Sequence, residues 1–317
     1  MRLISLFTQC NRQAIMKKYA VIDVGTNSIK FLIAEHRHDR WNTLLDCAEI
    51  ARLGDGFYDT GRLHSETMTR NANAIAKMVH IAYEQQVDEI IGIGTMCLRS
   101  AENSDEFVRL VAQICGLHIE ILSGEEEARL AFLAVTSGNH TLSGRVFVFD
   151  TGGGSTECII GHDGQIAQRI SLDIGALLQT ERFLTTFPVT SEQIEYALHF
   201  VMQHITPLEW IDRVHSVVGI GGTVTTLCAV KLGLEPYDAE RIEGATLELS
   251  EIDRQIAVYA STPLEERQRI PGLHPKRADV ILGGAIIVKA MMLKTCAEAI
   301  TVSDRGVRHG ILADRAG

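Results

Sequence analysis

The sequence predicts an α/β protein built of two similar domains, and three observations carry that prediction. The chain has 317 residues, whereas a single core stops growing near roughly 250–300 residues. It contains an internal echo: "VIDVGTNSIKFLIAE" from Val21 and "VFDTGGGSTECIIG" from Val148 align on Asp23 and Asp150, each with Gly two residues on and Ser five residues on. The two copies lie 127 residues apart, about one domain length. Finally, strand-like and helix-like segments alternate along the chain, as in α/β proteins.

Each copy of the echo reads as a β-hairpin. Val21-Ile22 and Phe147-Val148-Phe149 are β-branched or aromatic, as half-buried strands prefer. Gly25 and Gly152, Gly153 and Gly154 are expected to take backbone angles closed to other residues and to aim their amides at a shared phosphate. Thr26, Ser28, Ser155 and Thr156 add hydroxyl donors. Either loop alone reads equally well as a tight turn; two at matched spacing, each with an Asp, point to phosphate.

Between the hairpins, "HSETMTRNANAIAKMVHIAYEQQ" reads as an amphipathic helix. "VDEIIGIGT" reads as a buried strand running into a loop with Thr95 and Arg99, "FVRLVAQICG" as a helix closed by Gly116, and "LHIEILSG" as another strand. "ILSGEEEARLAFLAV" starts a helix at a capping box, Ser123 with Glu126, and its first-turn acids suit the helix dipole. Ala128, Ala131, Phe132 and Val135 form its apolar face. One of those glutamates could instead face a cleft and deprotonate water. After the second hairpin, residues 214–220 read as a strand entering Gly221-Gly222-Thr223 and a helix, an arrangement whose free amides suit an anion. As a dinucleotide fingerprint it is weak, because Val224 stands where a glycine is needed.

Composition narrows the function classes. The net charge of −10 argues against a general nucleic-acid binder but leaves room for a local basic pocket. Seven cysteines without a C-x-x-C pair fit reduced thiols better than a disulfide frame or a zinc site. The leader "MRLISLFTQCNRQAI" makes a poor signal peptide, and Met16 looks like a natural start. "ADVILGGAIIVKAMMLK" contains Asp279 and Lys289 and is too interrupted to span a bilayer. A soluble, cytoplasmic protein without membrane or nucleic-acid partners is the expectation.

"IDVGTNS", "GTMCLRSAEN", "ILSGEEEARL", "FDTGGGSTE", "GIGGTVTTL" and "IPGLHPKRADVILGGA", in that order, resemble the exopolyphosphatase / guanosine pentaphosphate phosphohydrolase family from about Tyr19 to Leu312. The resemblance implies two ribonuclease-H-like domains of the actin / Hsp70 / sugar-kinase superfamily flanking a cleft. Their expected bounds are 16–136 and 137–303, with residues 1–15 a leader or disordered tail and a final helix near 304–317 packing back on the first domain. It implies Glu127 as general base, Asp150 and Glu157 as ligands of Mg²⁺ or another divalent cation, and Arg99 as a phosphate grip. It extends the phosphate-binding set to Asp23, Gly25, Thr26, Asn27, Ser28, Lys30, Thr95, Gly152, Gly153, Gly154, Ser155, Thr156, Gly221, Gly222 and Thr223. K⁺ is a further candidate cation, and a homodimer the expected assembly.

The implied reaction is hydrolysis of terminal phosphoanhydride bonds of polyphosphate, with guanosine pentaphosphate as the alternative substrate. Lysine at Lys30 keeps a charge but lacks arginine's fork. Longer relatives carry a helical domain resembling HD phosphohydrolases, and the lone dipeptides His38-Asp39 and His162-Asp163 do not replace it. A shortened polyanion channel is the expected consequence. Arg267, Arg269, Lys276 and Arg277 read equally as a polyanion path and as solvated helix ends. A kinase of the same superfamily and a non-catalytic sensor of alarmone or polyphosphate are the competing classes. A glutamate before Ala-Arg favours water as nucleophile over an acceptor hydroxyl.

Overall fold

The computed structural model describes residues 17–37, 40–138, 143–211 and 214–316. The leader and the His38-Asp39 dipeptide lie outside the described residues.

The first half forms a five-stranded sheet in the order β3-β2-β1-β4-β5: β1 Lys17–Val24, β2 Ile29–Arg37, β3 Arg40–Glu49, β4 Glu89–Gly94 and β5 Ile119–Ile121. β1, β2 and β3 are antiparallel neighbours, whereas β1, β4 and β5 run parallel. The short helix α1 (Phe57–Thr60) precedes the long α2 (Ser65–Glu84). α3 (Met96–Ser100), α4 (Ser104–Cys115) and α5 (Gly124–Thr136) follow. α4 stops at Gly116, whose φ of 73° lies in the left-handed region a helix C-terminus favours.

The second half repeats the plan. β6 Arg145–Thr151, β7 Thr156–His162 and β8 Gln165–Leu172 are antiparallel, and β9 Ser216–Ile220 joins β6 in parallel. β10 Thr246–Glu248 and β11 Ala299–Val302 complete the order β10-β11-β9-β6-β7-β8. Its helices are α6 Ala176–Phe183, α7 Ser191–His204, α8 Gly221–Leu232, α9 Ala239–Ile242, α10 Leu249–Ser261, α11 Leu264–Arg267 and α12 Ile281–Thr295. The three-stranded meander plus two parallel strands thus occurs twice, once per copy of the sequence echo.

Period-two alternation explains the layering. In β1, Ala20, Ile22 and Val24 face a core with α2 and α4, while Val21 faces the opposite side. In β6, Phe147 and Phe149 face the second half's own core, while Val146 and Val148 face the side that Val21 faces. Between the sheets lie α5 and the last helix, α13 (Val307–Ala316), which contribute Ala128, Ala131, Val135, Val307, Ile311 and Leu312 to this shared cluster. α13 also touches β1 and β2. The two helices cross backbone to backbone at Gly310, where a Cβ would stand 2.0 Å from the Leu130 carbonyl oxygen.

α12 is apolar on nearly every side because it is buried on nearly every side. Lys289 escapes that core by pairing with Asp253 at 2.7 Å. No helix among the described residues is long and apolar enough to cross a membrane. The six described cysteines are free thiols.

Candidate active site

The two hairpin turns face each other. A Cβ on Gly153 would lie 2.9 Å from Asn27 Cβ, and one on Gly154 would lie 2.5 Å from Thr26 Oγ1 and 2.0 Å from Met96 Cε. Each turn is closed by the equivalent hydrogen bond: Gly25 N–H donates to the Ser28 carbonyl at 3.0 Å, and Gly152 N–H to that of Ser155 at 2.9 Å. This corrects the reason expected for the bare backbone. None of Gly25, Gly152, Gly153 and Gly154 has φ in the left-handed region. Glycine is needed at 153 and 154 because a side chain there would collide with the opposite turn. Gly221 does need its freedom: its φ is +88°, and it sits against Asp150.

The turns enclose a cavity of about 60 Å³. Its walls include Asp23, Gly25, Thr26, Asn27, Ser28, Lys30 and Thr95 from the first half. Asp150, Gly152, Gly153, Gly154, Ser155, Glu157, Gly222 and Thr223 come from the second half. Glu127 completes the set from α5. Three residues from the sequence-based set stand apart. Thr156 is buried, and its hydroxyl donates to the Ile174 carbonyl at 2.6 Å, so it turns away from the cavity. Gly221 borders a neighbouring, larger cavity instead. Arg99 stands behind Glu127, donating from Nη1 to Glu127 Oε2 at 3.2 Å and to the Leu122 carbonyl at 3.0 Å.

Sheet pairing sets the charge pattern. Asp23 pairs across its hairpin with Lys30, and Asp150 pairs across the equivalent hairpin with Glu157. The same place in the repeat therefore holds a cation in one turn and an anion in the other. Lys30 Nζ lies 3.7 Å from Asp23 Oδ2.

α5 delivers Glu127 by a clear local logic. Ser123 caps the helix by accepting from the Glu126 amide at 3.2 Å. The reciprocal half of the expected capping box is replaced, because the Glu126 carboxylate chelates Arg129 at 2.7 and 2.9 Å. Arg129 also reaches Asp314 of α13 at 2.8 Å. Glu125 lies exposed near Arg169. Of the three first-turn acids only Glu127 is buried, at 7% exposure.

Burial and like charge together perturb these acids. Glu127 is held well above the usual carboxylate range, first by desolvation and then by the charge of Glu157, against the pull of Arg99. Glu157, 1% exposed, is pushed up to about 7 by desolvation and by Asp150, although hydroxyl bonds from Ser155 and Ser171 favour its ionised form. Desolvation also raises Asp150, which Lys30 partly offsets. Four buried carboxylates thus surround a cavity whose wall carries Lys30 and Arg277, with Arg99 behind Glu127. Asp150 and Glu157, paired across one hairpin, offer the oxygen ligands that a hard divalent cation takes. No group of three or more His, Cys, Asp or Glu among the described residues forms a protein-only metal cage.

Sequence reasoning named Arg277 only within a basic run, and the structure separates that run. Arg267 is buried and structural, donating to the carbonyls of Ala278 and Thr262 at 2.9 and 3.2 Å. Arg269 borders the larger cavity and Lys276 is exposed. Arg277 reaches the phosphate cavity, its guanidinium lying across the start of α8, where a Cβ on Gly222 would meet Nη1 at 2.3 Å. His162 and Asp163 form an exposed pair at 3.2 Å between β7 and β8.

Arg52 and Tyr58 reach across the cleft. Arg52 Nη2 pairs with Asp279 Oδ2 at 2.6 Å and donates to the Lys276 carbonyl at 2.9 Å. The Tyr58 hydroxyl donates to the Gly154 carbonyl at 3.2 Å. The Arg52 loop is tied to the first turn by Arg52 N–H to the Asn27 carbonyl and Gly54 N–H to the Thr26 carbonyl, at 3.0 and 2.9 Å.

The chain is similar to known proteins along nearly its whole length. Residues 32–317 match the Ppx/GppA phosphatase family. The chain is 32% identical over 307 residues to the bifunctional 3-dehydroquinate synthase/phosphatase of Fusobacterium nucleatum, covering 93% of this chain and 46% of that protein. It therefore spans about half the length of that relative. It is 30% identical to exopolyphosphatase 2 of Mycobacterium tuberculosis, over 95% of this chain and 99% of that one. The crystal structure of the Aquifex aeolicus Ppx/GppA family member superposes with a TM-score of 0.80 at 30% identity, covering 95% of this chain and 97% of that one. The architecture is the two-domain, actin-like α/β fold. The chain belongs to the Ppx/GppA phosphatase family.

Proposed function

We propose that this protein is a phosphoanhydride hydrolase that removes terminal phosphates from inorganic polyphosphate and releases orthophosphate. One observation carries the reading: a buried glutamate, Glu127, forms part of the wall of a cavity enclosed by two facing glycine turns. Phosphoryl transfer chiefly needs positioning and charge neutralisation. The turn amides, Ser28, Ser155 and Thr223 would hold phosphate oxygens, and the N-terminus of α8 with Arg277 would hold the chain behind the scissile bond. Glu127 takes a proton from the attacking water, and Arg99 fixes the carboxylate for that transfer.

Asp150 and Glu157 would hold Mg²⁺ or another divalent cation, which when bound supplies neutralisation of charge on the phosphate oxygens. K⁺ is a second cation to test. The domain division is 16–136 and 137–303, with α13 returning to the first domain. A cytoplasmic homodimer acting on neither nucleic acid nor membrane completes the reading.

A second substrate has its own support. A cavity of about 560 Å³ shares Lys30, Gly222 and Arg277 with the phosphate cavity and is walled by Leu234, Pro236, Tyr237 and Ile270. Those apolar and aromatic walls beside a phosphate site suit the nucleoside of guanosine pentaphosphate. Phosphate release from short polyphosphate, long polyphosphate and guanosine pentaphosphate with Mg²⁺, side by side, decides between them. Fastest release from short polyphosphate is expected; preference for guanosine pentaphosphate replaces the first reading with the second. Inertness toward all three removes both.

A further inference from the structure

Ser171 of β8 stands directly opposite Glu157 in the β7–β8 ladder. Its hydroxyl donates to Glu157 Oε1 at 2.8 Å. The same side chain packs on Gly124, the first residue of α5. A Cβ on Gly124 would come within 2.5 Å of Ser171 Cβ and 2.9 Å of its Oγ, with Arg99 Nη2 the next neighbour at 3.6 Å. One small side chain therefore touches the carboxylate on one wall of the cavity and the helix start that carries Glu127 on the other.

The chemistry requires such a brace. A buried carboxylate has about four acceptor sites and is stable only when donors occupy them. Glu157 lies across the ladder from Asp150, whose charge repels it. Ser155 also bonds Glu157, and loss of the Ser171 donor leaves Oε1 without its hydroxyl and weakens the hold against that repulsion. Outer partners of this kind orient the groups that hold a metal, and their loss typically weakens metal affinity or activity about 10–100-fold.

We propose that Ser171 is a positioning residue for the hydrolysis: it fixes the carboxylate of Glu157 and seats the first turn of α5, so that Glu127 and Glu157 keep their mutual placement. The glycine in "SGEEEAR" is accounted for by the same contact, since any side chain at 124 would push Ser171 off. The proposal rests on the hydrolase reading given above.

The test compares the wild-type chain with Ser171→Ala and Gly124→Ala in three measurements. These are kcat and KM for short polyphosphate with Mg²⁺, Mn²⁺ affinity by electron paramagnetic resonance without substrate, and Tm. Ser171→Ala is expected to lower kcat about 10–100-fold with KM within about twofold, and to weaken Mn²⁺ binding about tenfold, at a Tm within a few degrees of wild type. Gly124→Ala, which keeps the hydroxyl but displaces it, is expected to fall in the same direction. Ser171→Ala with wild-type kcat and Mn²⁺ affinity overturns the proposal, as does a loss of kcat that follows only a lowered Tm. A wild-type chain inert toward every phosphoanhydride whose Mn²⁺ affinity still drops in Ser171→Ala sinks the hydrolase reading and leaves the brace standing.

Discussion

Arg99 and Glu127 form a 3.2 Å ion pair behind the phosphate cavity, and the same guanidinium nitrogen is anchored on the Leu122 carbonyl at 3.0 Å. The arginine expected to grip phosphate is thus engaged by the glutamate expected to act as base. Buried and crowded by Glu157, Glu127 would hold its proton to still higher pH without that partner.

Arg99→Ala therefore moves the acidic limb of the pH–rate profile upward. A base works only when deprotonated, so activity is lost as pH falls through its pKa, and removing a nearby positive charge raises that pKa. The limb of kcat/KM should shift by about one unit or more. A uniform drop in rate with an unmoved limb would mean that Arg99 serves substrate alone.

Stability without divalent cations should fall as pH rises. Glu157 sits at about 7 in the folded protein against an ordinary 4.5, so across that window the fold keeps a proton that the unfolded chain has lost. The folded state then binds more protons, and the Glu157 contribution to stability declines from about pH 5 to pH 7, by an amount on the order of a few kcal/mol, while Glu127, also held above the usual range, acts in the same direction. Thermal melts in a chelating buffer check this, and Glu157→Gln should raise Tm at pH 8 and flatten the trend. A melt that stays flat from pH 5 to 8 in the wild type contradicts it.

Arg277→Ala should raise KM for polyphosphate far more than it lowers kcat. Arg277 makes no ion pair among the described residues, and it lies against the start of α8 in the cavity wall. A charge-assisted contact contributes about 1.5–3 kcal/mol, so KM should rise about 10–100-fold while Tm holds. Steady-state kinetics over a range of substrate concentrations reads both parameters.

Arg52→Ala should loosen the cleft. Arg52 carries two bonds from the loop braced on the first turn to the segment preceding α12. Hydrogen exchange should quicken at residues 25–28 and 275–281 and stay unchanged in α4, which makes no hydrogen bond or ion pair with the Arg52 loop among the described residues. Equal exchange in variant and wild type would show that the clasp does not hold the halves together.

Much of this was legible in the sequence because local chemistry repeats. The echo around Asp23 and Asp150 gave both hairpins, and period-two and 3.6-residue patterns gave β4, α2, α4, α5, β9 and α8. What stayed hidden depends on chain segments distant in sequence. Nothing local marks Ser171, whose meaning comes only from lying opposite Glu157 and against Gly124. Arg277 and Arg267 look alike in "RQRIPGLHPKR", and only packing sends one to a cavity and the other under carbonyls. Thr156 reads as a phosphate donor because strand alternation across the turn, which points it at Ile174, is invisible until the register is known. The glycines read as residues with backbone angles closed to others because the opposing turn that crowds them lies more than a hundred residues away.

The most direct test of the whole account is orthophosphate release by Glu127→Gln with short polyphosphate and Mg²⁺. The substitution keeps the shape of the side chain and removes its basicity. Loss of about 10²–10⁴ in kcat with polyphosphate binding within a few-fold of wild type is the result predicted. Retention of kcat within about tenfold would show that another group activates the water and that Glu127 is not the base.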